Sequence, residues 1–243
     1  RPDLGVTVLA PGFVRTELVD ALIAAGRLQP ENAVRKIPLG RMAAPEELAQ
    51  ALYFLASAGA RPLSGQVLAF NGGSSISGGS QGFAPATLST LPLDLPMRLE
   101  VAGGDAGPWQ ALAPAPGDRP AYAACLDLSP LACEPAGLLR AVHAAAAEFA
   151  SRHQAQASLT VLLPARAPGR WQDAGDPAAA RMLVAALACE WGARALRINA
   201  LEVAPDADPA SLHPLLRFVC GAAAQYLTGQ TVVCHGRSAA PSA

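Results

Sequence analysis

An internal repeat constrains the fold of this chain more than any other feature. Residues 52–73 and 216–237 align at an offset of 164 (216 − 52), with eight of 22 positions identical. In both copies a run typical of a helix leads through Leu-(Ser/Thr)-Gly-Gln into an apolar run typical of a strand. The same helix–turn–strand unit is thus encoded twice, which predicts two related domains.

A second pair of segments supports this interpretation. Ala10-Pro11 ends an apolar strand pattern, and Pro11 lies 41 residues before the first copy. Ala204-Pro205 ends a second strand pattern, and Pro205 lies 11 residues before the second copy. The second copy is therefore shorter by about 30 residues. These correspond to residues 13–42, a helix-prone segment broken by Gly26 and Pro30 that we call the flap. Flaps of this kind close over substrates and exclude water.

Strand and helix patterns alternate along the rest of the chain. Pro45 and two following glutamates favour the start of a helix, and Pro135 opens another pattern with one apolar face. Apolar runs over "SGQVLAF", "MRLEVA", "SLTVLLPA" and "ALRINALEVA" predict strands. Residues 178–191 are apolar on nearly every side, so we expect a buried helix, with a subunit interface as one option. The alternation predicts an α/β fold with a parallel sheet.

Composition suggests a linker between two globular units. Residues 76–96 are rich in Ser, Gly and Pro, which is typical of a connection between domains. We therefore predict a first domain over residues 1–75, a linker over 76–96 and a second domain over 97–238.

Charge and composition exclude several functional classes. The 243 residues are 51% apolar and 15% charged, with a formal net charge of −1. We accordingly expect no nucleic-acid or membrane partner, and no apolar run is long enough to span a bilayer. The five cysteines match no zinc or disulfide spacing, so buried free thiols and a cytoplasmic setting are expected. The first residue is Arg, from which we expect a fragment or a processed chain.

The motifs "GVTVLAPGFVRT", "IPLGRMAAPEELAQALYFLAS" and "LSGQVLAFNGG" resemble the C-terminal third of a short-chain dehydrogenase/reductase over residues 4–73. "AALACEWGARALRINALEVAP" and "YLTGQTVVCHG" resemble the same family, so residues 157–237 are interpreted as a second, degenerate member. The resemblance implies a Rossmann-like tandem with an incomplete first domain and a reduced second one. The missing N-terminal part of the first domain would then be a partner of this chain.

The resemblance also implies a cofactor site. Pro11 and Gly12 would form the turn beside the nicotinamide ring, backbone groups near Val14 would bind its carboxamide, and the Thr16 hydroxyl would help to hold NAD or NADP. The flap would line the pocket of a small-molecule substrate.

The catalytic pair of that family is absent from this sequence. It needs a Tyr as proton donor and a Lys four residues later, which lowers the pKa of the Tyr. The chain contains one Lys, Lys36, and no Tyr precedes it at that spacing. In the second copy the Tyr position falls on Asp173, the Lys position on Pro177 and the Ser position on Pro164 or Ala165. No catalytic residue is therefore predicted.

One glycine-rich segment, "EVAGGDAGPW", is a candidate phosphate loop. Gly103 and Gly107 fit the spacing of the first two family glycines, but Trp109 occupies the place of the third and would block a pyrophosphate. We interpret this segment as a relic or a plain turn. The four histidines are dispersed, so no metal site is predicted.

The resulting functional hypothesis is part of an NAD(P)-dependent oxidoreductase acting on a hydroxyl/ketone pair. Its second domain would be catalytically inactive and would serve as a built-in dimer partner. Leu52, Phe54 or Val67 would then lie near Leu216, Phe218 or Val232, with the two last strands side by side. A further homo-oligomer is left open. The alternative is a non-catalytic structural or interaction subunit derived from such a reductase.

Overall fold

A computed structural model of the chain describes residues 5–79, 82–112, 117–165 and 171–235. Its strands form two parallel sheets, one with the order β1-β2 and one with the order β3-β4-β5-β6-β7. The elements, in chain order, are β1 (Val8–Pro11), α1 (Glu17–Ala24), α2 (Pro30–Val34), α3 (Pro45–Leu55), β2 (Val67–Phe70), β3 (Met97–Ala102), β4 (Tyr122–Asp127), α4 (Leu138–Arg152), β5 (Ala157–Pro164), α5 (Gly175–Trp191), β6 (Arg197–Val203), α6 (Pro209–Cys220) and β7 (Thr231–Cys234). The α/β class with parallel strands that the sequence predicted is confirmed.

The first unit, residues 5–75, consists of β1, the flap, α3 and β2. The two strands pair in parallel with Val8 opposite Val67. Helix α3 begins at Pro45, where a missing N–H costs nothing, and the Glu47 carboxylate accepts a hydrogen bond from the Ala44 N–H at 2.8 Å. Leu68 and Phe70 face the core, whereas Val8 and Val67 are 53% and 59% exposed on the opposite face.

The second unit, residues 97–235, contains the five-stranded sheet. Strands β5 and β6 are buried along almost their whole length, as central strands of a parallel sheet are. Helices α4 and α5 cover one face and form one core cluster with it. Helix α6 and the 3-10 helix Gly107–Leu112 contribute to the other core cluster, which also contains Leu68 and Phe70 of the first unit.

A buried cation fixes the end of α6 against the sheet. Arg197 on β6 is 1% exposed and donates hydrogen bonds to the carbonyls of residues 219–221 at 2.9 to 3.4 Å. It also donates to the Leu227 carbonyl at 3.0 Å and to the Tyr122 hydroxyl at 3.0 Å. Three of these hydrogen bonds reach the C-terminal end of α6, where a positive charge is favourable, and the other two tie β6 to β4 and to the turn before β7.

The two units pack through the repeated helix–turn–strand segments. The rings of Phe54 and Phe218, which are equivalent in the sequence alignment, stack with centroids 4.3 Å apart and an interplanar angle of 9°. The Gly72 N–H donates to the Tyr226 carbonyl at 3.1 Å, and the His235 N–H donates to the Pro62 carbonyl at 2.9 Å. Each unit thus receives a backbone hydrogen bond from the other. Strands β2 and β7 belong to separate sheets and are not paired with each other, so the two last strands do not form the side-by-side pair that the sequence led us to expect.

The linker (residues 76–96) packs on both units along its described part. Ile76 lies in the space that a side chain at Gly229 would need. The Gln156 amide donates to the Ser89 carbonyl at 2.7 Å, and the Gln225 side chain exchanges two hydrogen bonds with the backbone of Leu91. The described part of the linker is therefore held by specific contacts.

Two elements differ from the sequence expectation. Strand β4 was not predicted, because "YAACLD" is rich in alanine, which has a low strand propensity. Helix α5 is buried on one face only, through small side chains such as Ala180 and Val184, while Met182 on the other face is 69% exposed. In the described ranges, no helix combines the length and apolarity that crossing a bilayer requires.

Candidate functional site

The Pro11–Thr16 turn begins where β1 ends, at the carboxyl edge of the small sheet. The Gly12 N–H donates to the Phe70 carbonyl at 3.2 Å. A Cβ at Gly12 would lie 2.8 Å from both Cα and Cβ of Asn71, so the residue after β2 leaves no room for a side chain there. The glycine that the sequence singled out is thus required by a close backbone approach.

Val14 joins the two ends of the flap. It forms an isolated parallel bridge with Ala43. The Ala43 N–H donates to the Phe13 carbonyl at 2.9 Å, and the Arg15 N–H donates to the Ala43 carbonyl at 2.8 Å. The two ends of the flap therefore lie next to each other, directly beside the Pro-Gly turn.

Thr16 occupies the N-cap of α1. Its side-chain oxygen accepts a hydrogen bond from the Val19 N–H at 3.4 Å, which satisfies one of the unpaired donors at the start of the helix. The hydroxyl proton can still be donated to another group. The sequence reasoning assigned Thr16 to a cofactor, and the structure gives it this capping contact as well.

The outer part of the flap is apolar and exposed. Helix α1 has no buried residue, and Phe13 and Leu18 are 41% and 70% exposed. Four other apolar side chains of the flap are partly buried, namely Val14, Val19, Leu22 and Ile23. An apolar segment of this kind can cover an apolar ligand but makes few contacts of its own here.

The inner end of the flap is held by an ion pair that sequence reasoning missed. Arg41 binds the Glu47 carboxylate in a bidentate manner at 2.6 and 2.7 Å, and Glu47 is 2% exposed. The Arg41 guanidinium also lies 5.0 Å above the ring of Tyr226 from the second unit. Burial raises the pKa of Tyr226, so its hydroxyl stays protonated and donates to the Arg41 carbonyl at 3.1 Å.

In the second unit, the positions that the family resemblance equated with the catalytic groups are spread along the end of β5, a short 3-10 helix and α5. The Ala165 N–H donates to the Val203 carbonyl, continuing the sheet, while Asp173 is exposed and Pro177 lies in the first turn of α5. At the end of β6, Glu202 is 8% exposed in its side chain and forms an ion pair with Arg181. This pair joins α5, which also carries Pro177, to β6.

The glycine-rich segment after β3 packs against its neighbours. A Cβ at Gly103, whose φ is +74°, would lie 2.5 Å from the Ser129 backbone nitrogen. The Asp127 carboxylate accepts hydrogen bonds from the Ser129 N–H at 2.9 Å and from its hydroxyl at 2.5 Å. Trp109 is 7% exposed, with its ring 6.2 Å from that of His213. Among the described residues no group of three or more His, Cys, Asp or Glu could hold a metal ion.

The parallel α/β arrangement, with a turn at the carboxyl edge of the strands, is consistent with a Rossmann-like fold. Residues 4–75 match a family model described as enoyl-(acyl carrier protein) reductase. Over 68 residues the chain is 48% identical to a short-chain type dehydrogenase/reductase of Sinorhizobium fredii, y4vI, covering 28% of this chain and 12% of that protein. These matches support the short-chain dehydrogenase/reductase family for this segment.

Two further relatives share the same segment. The 3-oxoacyl-[acyl-carrier-protein] reductase FabG of Thermotoga maritima is 41% identical over 71 residues, which cover 29% of this chain and 28% of that protein. FabG of Rickettsia prowazekii is 45% identical over 71 residues, with 28% of each chain covered. The chain thus spans little more than a quarter of the FabG proteins, and an eighth of the Sinorhizobium protein.

Proposed function

We propose that this chain is part of an NAD(P)-dependent short-chain oxidoreductase that transfers a hydride between the nicotinamide and a hydroxyl/ketone substrate. The observation that carries the proposal is the match of residues 4–75 to reductases. This matched segment contains both the Pro11–Thr16 turn and the flap. Its relatives named as 3-oxoacyl-[acyl-carrier-protein] reductases make a 3-oxoacyl thioester a reasonable first substrate to try.

The residues of the turn fit a nicotinamide cofactor, which supplies or accepts the hydride when bound. Gly12 lets the turn pack directly on Asn71, and this contact would fix the backbone that lies beside the ring. Backbone groups at Val14 would orient the carboxamide, and the Thr16 hydroxyl has a proton to donate toward the cofactor. Above this turn, the apolar flap would exclude water from the reacting atoms.

The remaining part of the first domain would complete this site. Within the described residues, β1 pairs only with β2, and Val6, Val8 and Val67 leave an apolar face exposed at 60%, 53% and 59%. An unpaired strand edge beside an apolar face favours the addition of a neighbouring strand and a covering helix. We propose that the N-terminal part of a reductase domain provides both, together with the Tyr/Lys pair and the phosphate loop.

For the second unit we propose the role of a non-catalytic, built-in dimer partner. Its positions equivalent to the catalytic groups hold Asp173 and Pro177, and Trp109 stands where a phosphate loop needs glycine. The stacking of Phe54 on Phe218 supports the partner role, because equivalent residues of two related units meet at a pseudo-two-fold axis. The whole chain would then contain a pseudo-dimer.

A non-catalytic structural or interaction subunit is the second candidate. It is favoured by one observation, the lack of a Tyr-x-x-x-Lys pair anywhere in the 243 residues. The two candidates differ in what the intact protein does with reduced cofactor. We expect the chain alone to be inactive with NADH or NADPH and a panel of ketones and 3-oxoacyl thioesters, and the intact protein to oxidise one of the two cofactors. An intact protein that binds neither cofactor would favour the structural subunit.

Substitutions at Thr16 test the cofactor role against the capping role. In the intact protein, Thr16→Ala should weaken cofactor binding about two- to twelvefold, as expected for one lost hydrogen bond of about 0.5–1.5 kcal/mol. Thr16→Asp retains an N-cap acceptor but adds a negative charge, so it should weaken binding further. If Thr16→Asp instead restored the affinity, measured by fluorescence titration, then Thr16 would act only through the helix.

A further inference from the structure

The flap has two physically different parts. Residues 16–36, the arm, carry α1 and α2 with Ala33 as their one buried residue. Residues 37–42, the base, include Ile37 and Leu39, which are 0% and 3% exposed, and residues 37–40 are buried throughout. The boundary between exposed and buried backbone therefore falls between Lys36 and Ile37.

The second unit contacts the base through a glycine. Gly192 follows α5, and a Cβ added there would overlap the Pro38 carbonyl group, far inside the 3.4–4 Å of an ordinary contact. The φ of Gly192 is −54°, which any residue adopts, so conformational freedom does not explain a glycine there. What the position requires is the absence of a side chain next to Pro38.

Tyr226 contacts the base from another direction. Its hydroxyl donates to the Arg41 carbonyl at 3.1 Å, and its own carbonyl accepts from the Gly72 N–H at 3.1 Å. A Cβ at Gly72 would lie 2.8 Å from the Tyr226 ring. The phenol therefore fills the space between the base and the end of β2.

The linker completes the enclosure of the base. The Ala86 N–H donates to the Gly40 carbonyl of the base at 2.7 Å, and the Phe83 N–H donates to the Arg35 carbonyl at the end of the arm at 2.9 Å. A Cβ at Gly40 would lie 2.5 Å from the Ala84 carbonyl oxygen. The contacts of Ser89 and Leu91 described above attach the same linker to the second unit.

From these contacts we infer that the second unit sets the hinge of the flap, with Gly192 and Tyr226 as positioning residues for the site in the first unit. The inference rests on the proposed function for its catalytic consequence. The arm pivots at Lys36–Ile37, and the fixed side of that pivot is built by the second unit and the linker. Since Ala43 directly follows the base and bonds to Phe13 and Arg15, a shift of the base also displaces the cofactor turn.

Hydrogen exchange of the whole chain tests the hinge without any assumption about activity. Gly192→Ala adds one methyl group against Pro38. The matched control is Gly175→Ala at the other end of α5, where nothing lies within 4 Å of an added Cβ. We expect Gly192→Ala to accelerate exchange about tenfold at the amides of Leu39, Gly40 and Ala43, with β5 and β6 unchanged, and Gly175→Ala to leave all of them unchanged.

Equal exchange at the base in the two alanine variants would overturn the inference. Equal acceleration in the base and in β5 and β6 would overturn it too, because the methyl group would then act on the whole unit. Tyr226→Phe, which loses one hydroxyl group, provides the decisive comparison if Gly192→Ala does not fold. It should accelerate the same base amides, and unchanged exchange there would refute the assignment.

Kinetics of the intact protein separate this inference from the proposed function. If the hinge positions the flap, Gly192→Ala should raise KM for the carbonyl substrate about tenfold while kcat falls less than threefold, and Gly175→Ala should match the parent. A parent protein without turnover would refute the oxidoreductase proposal and leave the exchange result to decide the hinge. Parent-like KM and kcat in Gly192→Ala would refute the positioning role.

Discussion

The stacked pair Phe54–Phe218 should couple the stability of the two units. Phe218 is 7% exposed, so Phe218→Ala should lower the free energy of unfolding by about 3–5 kcal/mol through lost burial and the cavity left behind. Phe54 is only partly buried, so Phe54→Ala should cost about half as much. A parallel stack with centroids 4.3 Å apart adds about 0.5–1.5 kcal/mol beyond burial. The loss of unfolding free energy in the double variant should therefore be about 1 kcal/mol smaller than the sum of the losses in the two single variants.

Urea denaturation of the whole chain measures this coupling, with circular dichroism and tryptophan fluorescence recorded together so that the cooperativity of unfolding is checked. The matched control combines Phe54→Ala with Phe149→Ala. Phe149 is fully buried in the cluster on the other face of the large sheet and packs on Trp191. Those two effects should add within about 0.5 kcal/mol. A Phe54–Phe218 coupling no larger than that of the control would refute the view that this stack joins the units.

Three further predictions concern the interior of the second unit. Burial raises the pKa of the thiols of Cys125 and Cys234 to about 12 and that of Cys220 to about 11. All three thiols should therefore resist alkylation by iodoacetamide at pH 8 in the folded chain and react only in urea. Alkylation of the folded chain at the rate of a free thiol would contradict this. Because an unfolded thiol ionises near pH 9.0 and these do not, the free energy of unfolding should also fall as pH rises from 9 toward 11. Arg197→Met should lower it by about 3 kcal/mol or more, since four carbonyls and the Tyr122 hydroxyl lose their donor; a loss below about 1 kcal/mol in urea titration would show that water replaces the guanidinium.

Local chemistry explains which parts of the fold could be predicted. Pro45 at the start of α3, the break of the flap at Gly26 and Pro30, and the apolar run of β5 each act within a few residues, so the sequence displays them directly. Strand β4 could not be predicted in the same way, because its alanines become strand residues only through burial between β3 and β5. Tertiary context overrides propensity at such positions.

In the candidate site too, local features could be predicted from the sequence, whereas contacts between distant residues could not. The Pro11-Gly12 turn was visible because this dipeptide ends a strand, and the N-cap role of Thr16 follows from its place before α1. The contact of Gly192 with Pro38 joins residues 154 positions apart (192 − 38) and leaves no periodic pattern. The one available signal for Tyr226 was its position directly before the repeated Leu-Thr-Gly-Gln segment.

The stacking of Phe54 on Phe218 within one chain has a consequence for evolution as well as for stability. A linker of some 20 residues holds the two packed surfaces at an effective concentration on the order of millimolar, so a contact that would join separate chains only at high concentration is largely formed here. The packed surface of each unit then needs to fit only one partner, so the sequences of the two repeat copies can diverge. Asn71 and His235, which occupy equivalent positions in the repeat, illustrate this: the first bonds to its own turn and the second reaches Gln66 across the interface.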